Sequence, residues 1–272
     1  QNADLSGATI QGNTFTNAKL MNLTLTAADL SGVNLTGANI TNSDFTNANL
    51  QNADLSGATI QGNTFTNAKL MNLTLTSSDL SGVNLVGADL TSSNLTGVNM
   101  RNTDLSGATM LGSTIVFANM SNAKLTNVDL SGHDMEGINF TKADFTNANL
   151  QNADLSGTTI LGNTFTNAKL MNLTLTAVDL SGVDLTGADL TSSNLTGVNM
   201  QNANVDGCIL ENVNLESVNM EGLLNTTTST GTAINFPTTH QYYLNKLYTS
   251  SNNLNTSYVV SEDTSVSFKD GD

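Results

Sequence analysis

Residues 1–26 read QNADLSGATIQGNTFTNAKLMNLTLT and return letter for letter at 51–76. Within that stretch a large apolar residue stands at every fifth position: Leu5, Ile10, Phe15, Leu20 and Leu25. The series continues outward through Leu30, Leu35, Ile40, Phe45 and Leu50 to Val205, Leu210, Leu215 and Met220. That makes 44 consecutive positions held only by Leu, Ile, Phe, Met or Val. Two residues earlier a small side chain dominates, as in Ala3, Ala8, Ala18, Ala28, Val33, Ala38 and Ala48. Asp, Asn or Thr stands just before the large residue and Ser or Thr just after it. Gly or Asn then follows, as at Gly7, Gly12, Asn17 and Gly32. A period of five matches neither the 3.6 of a helix nor the 2.0 of a long strand. It fits short extended pieces joined by turns, whose backbone Gly and Asn tolerate.

Composition excludes several alternatives. The chain has 272 residues, with 8 Lys and Arg against 23 Asp and Glu, a formal net charge of −15. One Cys rules out an intramolecular disulfide framework or a Cys-rich metal module. The acidic balance disfavours direct nucleic-acid binding, which needs a basic phosphate-facing surface. No apolar run approaches the ~18–20 residues of a membrane span, and no signal segment opens the sequence. A polar, Asn/Thr/Ser-rich chain raises the question of disorder, which regular periodicity answers in favour of order.

The string NADLSGATI, and the pattern Ala-Asp/Asn-Leu-Ser/Thr-Gly generally, resembles the pentapeptide repeat family over residues 2–220. The resemblance implies an all-β fold, a right-handed quadrilateral β-helix with one pentapeptide per side and four per coil. Residues 20 apart would then stack, and the 44 pentapeptides would form 11 coils. At the ~4.8 Å inter-strand spacing the rod would be roughly 50 Å long. The central residue and the small one two before it would point inward. Leu23, Leu73, Leu173, Ile138 and His133 occupy the small slot, and Asn13, Asn63 and Asn163 put an amide there. Those coils are expected to widen locally or to leave the side chain near a corner.

A longer period overlies the first. Residues 151–176 repeat the opening stretch with two changes, Thr158 for Ala8 and Leu161 for Gln11, and 101–150 are a weaker copy. The unit is 50 residues, or 2.5 coils, so copies 50 apart should lie on opposite faces and copies 100 apart should share one, roughly 24 Å apart. Residues 1–220 thus form one expected domain and 221–272 a second segment. Gln1 opens in full register without a cap, so the reading expects either upstream residues or a first coil that stacks on something.

The segment 221–272 holds all four Tyr and the sole Pro, Pro237. Thr238 and Gln241 read as a capping box before a short amphipathic helix containing Tyr242, Tyr243, Leu244, Leu247 and Tyr248. Residues 256–268 read as two short strands around Ser261, Glu262 and Asp263. The segment is expected to cap the last coil or to serve as an interaction element through Tyr242, Tyr243, Leu244, Leu247, Tyr248 and Tyr258, by strand addition to a neighbour.

Candidate chemistry is sparse. His133 and His240 support no Ser/His/Asp arrangement, and no cofactor site is expected. The nearest approach to a metal cluster is His133, Asp134 and Glu136, with Asp154 stacked on Asp134. Such a pair at ~5 Å could hold a hard cation, but a solvated pair is the default and no metal site is assigned. Cys208 falls in a small inward slot, where a buried inert thiol is expected. Thr-x-Thr pairs such as Thr14/Thr16 do not stack into the uninterrupted ladder that water ordering would need. The sequons at Asn22, Asn34 and Asn72 arise from the repeat itself.

Some members of the resembled family are similar to DNA in shape and charge and bind DNA gyrase. Residues 1–220 hold 18 acids and 6 bases. At 20-residue stacking, Asp4 meets Thr24, Asp29 meets Asn49 and Lys124 falls between Asp104 and Asp144. Only Asp134 and Asp154 stack directly in this slot. Charge so dispersed lowers repulsion and does not form an acidic ridge. The sequence therefore points to a non-enzymatic structural or interaction scaffold, at a cell surface or outside the cell, stacking end to end with itself as partner. A DNA-mimic acting on gyrase, in the cytoplasm, is the alternative. A passive stalk presenting the C-terminal segment is another.

Overall fold

The computed structural model describes residues 2–175, 178–222, 259–260 and 266–267. Between Asp4 and Asn219 the backbone repeats one unit. Two turn residues follow each large apolar residue, and a single bridging residue precedes the next. Parallel bridges join residues 20 apart, from Asp4↔Thr24 and Thr9↔Asp29 through to Asn199↔Asn219. The chain is a β-helical solenoid whose successive coils are laced by main-chain hydrogen bonds, such as Leu35 N–H to the Asp54 carbonyl at 2.7 Å.

The turn explains the composition. In residues 25–28 the Ala28 N–H donates to the Leu25 carbonyl at 3.0 Å. The third residue of each such turn has positive φ, the type II geometry. Asn47 sits there at φ 60°, and Asn or Ser holds most of the other positions not taken by Gly. Asn tolerates this region because its short polar side chain compensates locally for the crowding of Cβ. The Asp or Asn before the large residue braces the same turn. Ser31 N–H donates to Asp29 Oδ1 at 3.0 Å and Thr36 N–H to Asn34 Oδ1 at 2.9 Å. Where Ser or Thr follows, its hydroxyl often adds a second bond, as from Ser56 Oγ to Asp54 Oδ1 at 2.6 Å. The polar letters of the repeat are thus turn chemistry.

The core is a column of stacked large residues. Leu50, Leu55, Leu70, Leu90 and Leu130 are fully buried. Phe45 stacks on Phe65 with ring centroids 4.8 Å apart, and Phe145 stacks on Phe165 at the same distance, each pair 20 residues apart. Stacking like on like lets each ring cover the next, which suits a solenoid that buries its core only between neighbours.

The oversized residues in the small slot turn inward, and the three leucines among them are accommodated by hydroxyls from the next coil. Leu23, Leu73 and Leu173 are buried. The N–H of each is taken up by the Oγ of Ser43, Ser93 or Ser193, at 3.0 Å in every case. Those hydroxyls bond onward to the Leu20, Leu70 and Leu170 carbonyls. The expected local widening is therefore a turn opened by leucine and bridged by serine. Ile138 and His133 are also buried inward, whereas Asn13 is exposed and bonds the Ile10 carbonyl at 2.9 Å.

In the C-terminal segment two strands are described, β1 (Val259–Val260) and β2 (Val266–Ser267). They pair antiparallel in the register Val259↔Ser267 and Val260↔Val266, on either side of the expected 261–263 turn.

Candidate functional surface

Three groups of residues carry the chemistry worth weighing. The first is the expected interaction set Tyr242, Tyr243, Leu244, Leu247, Tyr248 and Tyr258, with the helix expected after Thr238. All of it lies outside the described residues.

The second is the buried polar set inside the solenoid. His133 fills a small slot with its Nε2 at 3.0 Å from the Met110 carbonyl oxygen and 3.3 Å from Ser113 Oγ. Its Nδ1 lies 3.3 Å from the Ser131 carbonyl oxygen. The contact to Met110 spans 23 residues, the same offset at which Thr103, Ser193 and Cys208 bond a carbonyl of the previous coil. His133 therefore replaces a hydroxyl in a structural role. Thr114 and Asp134, both described, are not bridged, although Thr109↔Asp129 and Asn119↔Asn139 are. Ser113, the hydroxyl neighbour of this ring, is itself buried. Cys208 is buried, and burial foremost pushes its thiol up to about 12, so the nucleophilic thiolate is suppressed.

The third group is the acidic surface. Asp-Leu-Ser-Gly recurs at Asp4, Asp29, Asp54, Asp79, Asp104, Asp129, Asp154 and Asp179, every 25 residues, while bridges join residues 20 apart. Each copy is therefore shifted by one bridging position relative to the last, and the acids wind around the solenoid. Dispersal of charge is a consequence of these two periods. The neighbours across the bridges are Asn49 for Asp29, Thr74 for Asp54 and Lys124 for Asp104. Lys124 Nζ lies 3.3 Å from Asp104 Oδ2, the single ion pair among the described residues.

The carboxylates are committed to their own turns. The Ser31 N–H holds Asp29 below the usual carboxylate range, with help from the Gln11 amide and the Ser31 hydroxyl. Partial burial raises Asp54, but the Ser56 hydroxyl and N–H outweigh it and the net shift is downward. Asp134 and Asp154 form the one directly stacked aspartate pair along the bridges, as the 20-residue offset implies. No cluster of three or more metal-ligating side chains occurs among the described residues, so the pair stands without a His or third acid completing a cation shell. The Thr14 column runs to Asn34 and then Asp54, so the threonine rows are interrupted as the offset requires. Among the described residues no helix is long and apolar enough to cross a membrane.

Solved structures resembling the chain include HetL, a pentapeptide repeat protein involved in heterocyst differentiation regulation from the cyanobacterium Nostoc sp. strain PCC 7120. HetL is 27% identical, with 79% of this chain and 85% of that one covered at a TM-score of 0.33. A trypsin-treated variant of QnrB1, a plasmid-mediated fluoroquinolone resistance protein, is 23% identical over 75% of this chain and 90% of that one, at a TM-score of 0.35. A pentapeptide repeat protein from the Arabidopsis thaliana thylakoid lumen is 26% identical over 45% and 68% of the two chains, at a TM-score of 0.22. No curated protein sequence matches significantly. A family model for pentapeptide repeats matches eight copies across residues 68–107, 118–157, 138–176, 174–212 and 193–223. A second, for a pentapeptide repeat region, matches 8–85. On the matches to these two family models, the chain belongs to the pentapeptide repeat family.

Proposed function

We propose that this protein is a non-enzymatic scaffold acting at a cell surface or outside the cell by associating with further copies of itself, end to end, into fibres. In this reading residues 1–220 form a right-handed, four-sided solenoid of eleven coils, and 221–272 form a cap or interaction segment. The observation that carries the scaffold role is the commitment of the polar side chains to the fold. Aspartates such as Asp29 and Asp54 brace turns, Ser93 and Ser193 bridge opened ones, and His133 and Cys208 bond carbonyls inside the solenoid. Self-association draws its support from the near-identical 50-residue units, which present the same residues repeatedly along one chain.

Electron microscopy of the full chain, with light scattering over a wide concentration range, tests this reading. The expected outcome is concentration-dependent growth well beyond the 28.4 kDa monomer and elongated particles. A closed dimer, or monomers throughout, would overturn it. The net charge of −15 is the observation that favours a DNA-mimic acting on gyrase. The winding of the aspartates around the solenoid and the interposed Lys124 weigh against it, and inactivity in a supercoiling assay would remove it.

A further inference from the structure

Outward positions of the solenoid are mostly polar, and apolar exceptions such as Met21, Met71 and Val86 are half-buried. Among the described residues the exposed large apolar side chains are Leu111 (64%), Phe117 (59%) and Leu161 (42%). Leu111 and Phe117 stand in successive turns on either side of the bridging segment 113–115, with Thr114 exposed between them. They therefore flank a single outward face. Phe117 has φ 59°, at the turn position held elsewhere mostly by Gly, Asn or Ser. Its ring lies over Gly137, where an added Cβ would come within 2.5 Å of Phe117 Cδ1. A bare glycine thus gives the ring a seat on the surface. The interior gains little from an aromatic that remains so exposed.

The acids of the same face depart from the pattern in another way. Asp134 bridges Asp154, and Glu136 immediately precedes Gly137. One oxygen of each aspartate is engaged by its own turn, through Glu136 N–H at 3.0 Å and Ser156 N–H at 2.9 Å. The described ion pair, Lys124 with Asp104, involves none of these three acids. Apolar side chains at the two turns thus coincide on one face with a directly stacked aspartate pair and the neighbouring turn acid Glu136. A second copy of the chain would bring the same acids against these in a two-fold contact, and nucleic acid or an anionic membrane would be repelled. The complementary occupant is cationic with an apolar anchor.

We propose that this face docks a basic peptide segment of a partner protein. An aliphatic or aromatic side chain of the segment packs between Leu111 and Phe117, and its Lys or Arg residues meet Asp134, Glu136 and Asp154. The proposal does not depend on fibre formation, which is read separately as particle size.

The test is fluorescence anisotropy with the full chain and three synthetic probes: a peptide alternating lysine with phenylalanine and leucine, a lysine-only peptide and a neutral apolar one. The mixed peptide should bind most tightly. The double variant Leu111→Thr/Phe117→Asn should weaken it by about 10-fold or more. That variant should leave the lysine-only peptide unchanged, and Leu161→Thr should affect neither. Asp134→Asn/Glu136→Gln/Asp154→Asn should weaken both charged peptides. Each replacement is a residue type other turns or bridges already use, and thermal unfolding verifies that the variants fold. Equal binding of the mixed peptide by wild type and the Leu111/Phe117 variant would overturn the proposal, since attraction to overall charge would then suffice. Absence of binding by the mixed peptide up to about 1 mM would overturn it too.

Discussion

The hydroxyl of Ser93 accepts the N–H of Leu73 from the neighbouring coil at 3.0 Å. The same oxygen donates to the Leu70 carbonyl at 2.6 Å, so one side chain closes a turn that leucine has opened. Ser78, by contrast, donates to the Leu55 carbonyl at 3.1 Å while its neighbouring turn closes by itself, with Ala58 N–H on the Leu55 carbonyl at 3.0 Å. Ser93→Ala therefore orphans a buried N–H and should cost about 1–3 kcal/mol, whereas Ser78→Ala should cost about 1 kcal/mol or less. Urea denaturation of the two variants reads the difference, and equal losses would contradict the bridging role.

Phe117 holds a left-handed backbone at φ 59° with its side chain largely in water. Asn adopts that region more readily, and the left-handed conformation costs an ordinary residue about 1–2 kcal/mol. Phe117→Asn should leave stability unchanged or raise it by about 1 kcal/mol after the loss of ring contact with Gly137. Gly137→Ala should destabilise, because Gly137 has φ 67° and its new Cβ would meet the Phe117 ring. In a double-mutant cycle, Phe117→Ser should relieve the steric part of that loss and leave the backbone part, because a Cβ added at Gly112 meets Ser92 Oγ only at 3.7 Å and one at Gly97 meets Ser77 Oγ at 3.9 Å.

The aspartate braces make stability depend on acid. Asp4, Asp29, Asp54, Asp79, Asp104 and Asp129 all lie below the ordinary carboxylate value of 3.8. A carboxylate with a depressed folded pKa contributes stability that is present above the unfolded pKa. That contribution is lost as pH falls through the folded value. The melting temperature should therefore hold between about pH 7 and 5 and decline once pH drops below about 4. Asp54→Asn keeps an accepting oxygen for Ser56 and removes the titration, so the variant should lose less on acidification than the wild type. A parallel decline in both would contradict the assignment.

Cys208 is buried, its thiol lies at about 12, and it bonds the Leu185 carbonyl at 2.9 Å. In native protein at pH 8 it should resist a disulfide-exchange reagent and react fully once denatured. Rapid stoichiometric labelling of the folded chain would show that this coil opens.

Much of the interior is legible in the sequence. Leu50, Phe65 and Leu130 fall on the five-residue series and are buried, and the 20-residue offset correctly paired Asp134 with Asp154 and Lys124 with Asp104. The adaptation around Leu23, Leu73 and Leu173 was legible only as a departure. Nothing within those pentapeptides shows that the compensating group comes from Ser43, Ser93 or Ser193, because each hydroxyl belongs to the next coil. The Leu111 and Phe117 face leaves no mark on the sequence pattern for a related reason. Neither residue breaks the core series, and an outward position accepts almost any side chain without penalty to the pattern.

The amino-acid sequence by itself determined the repeating unit, its inward residues and the turn chemistry, because all three follow from interactions within five neighbouring residues. Tertiary structure decided how leucine in a small slot is accommodated, why the histidine at 133 serves as a bridge to Met110, and which outward residues share a face. Those outcomes depend on contacts between residues 20 or 23 apart. Only the closed coil brings such residues together.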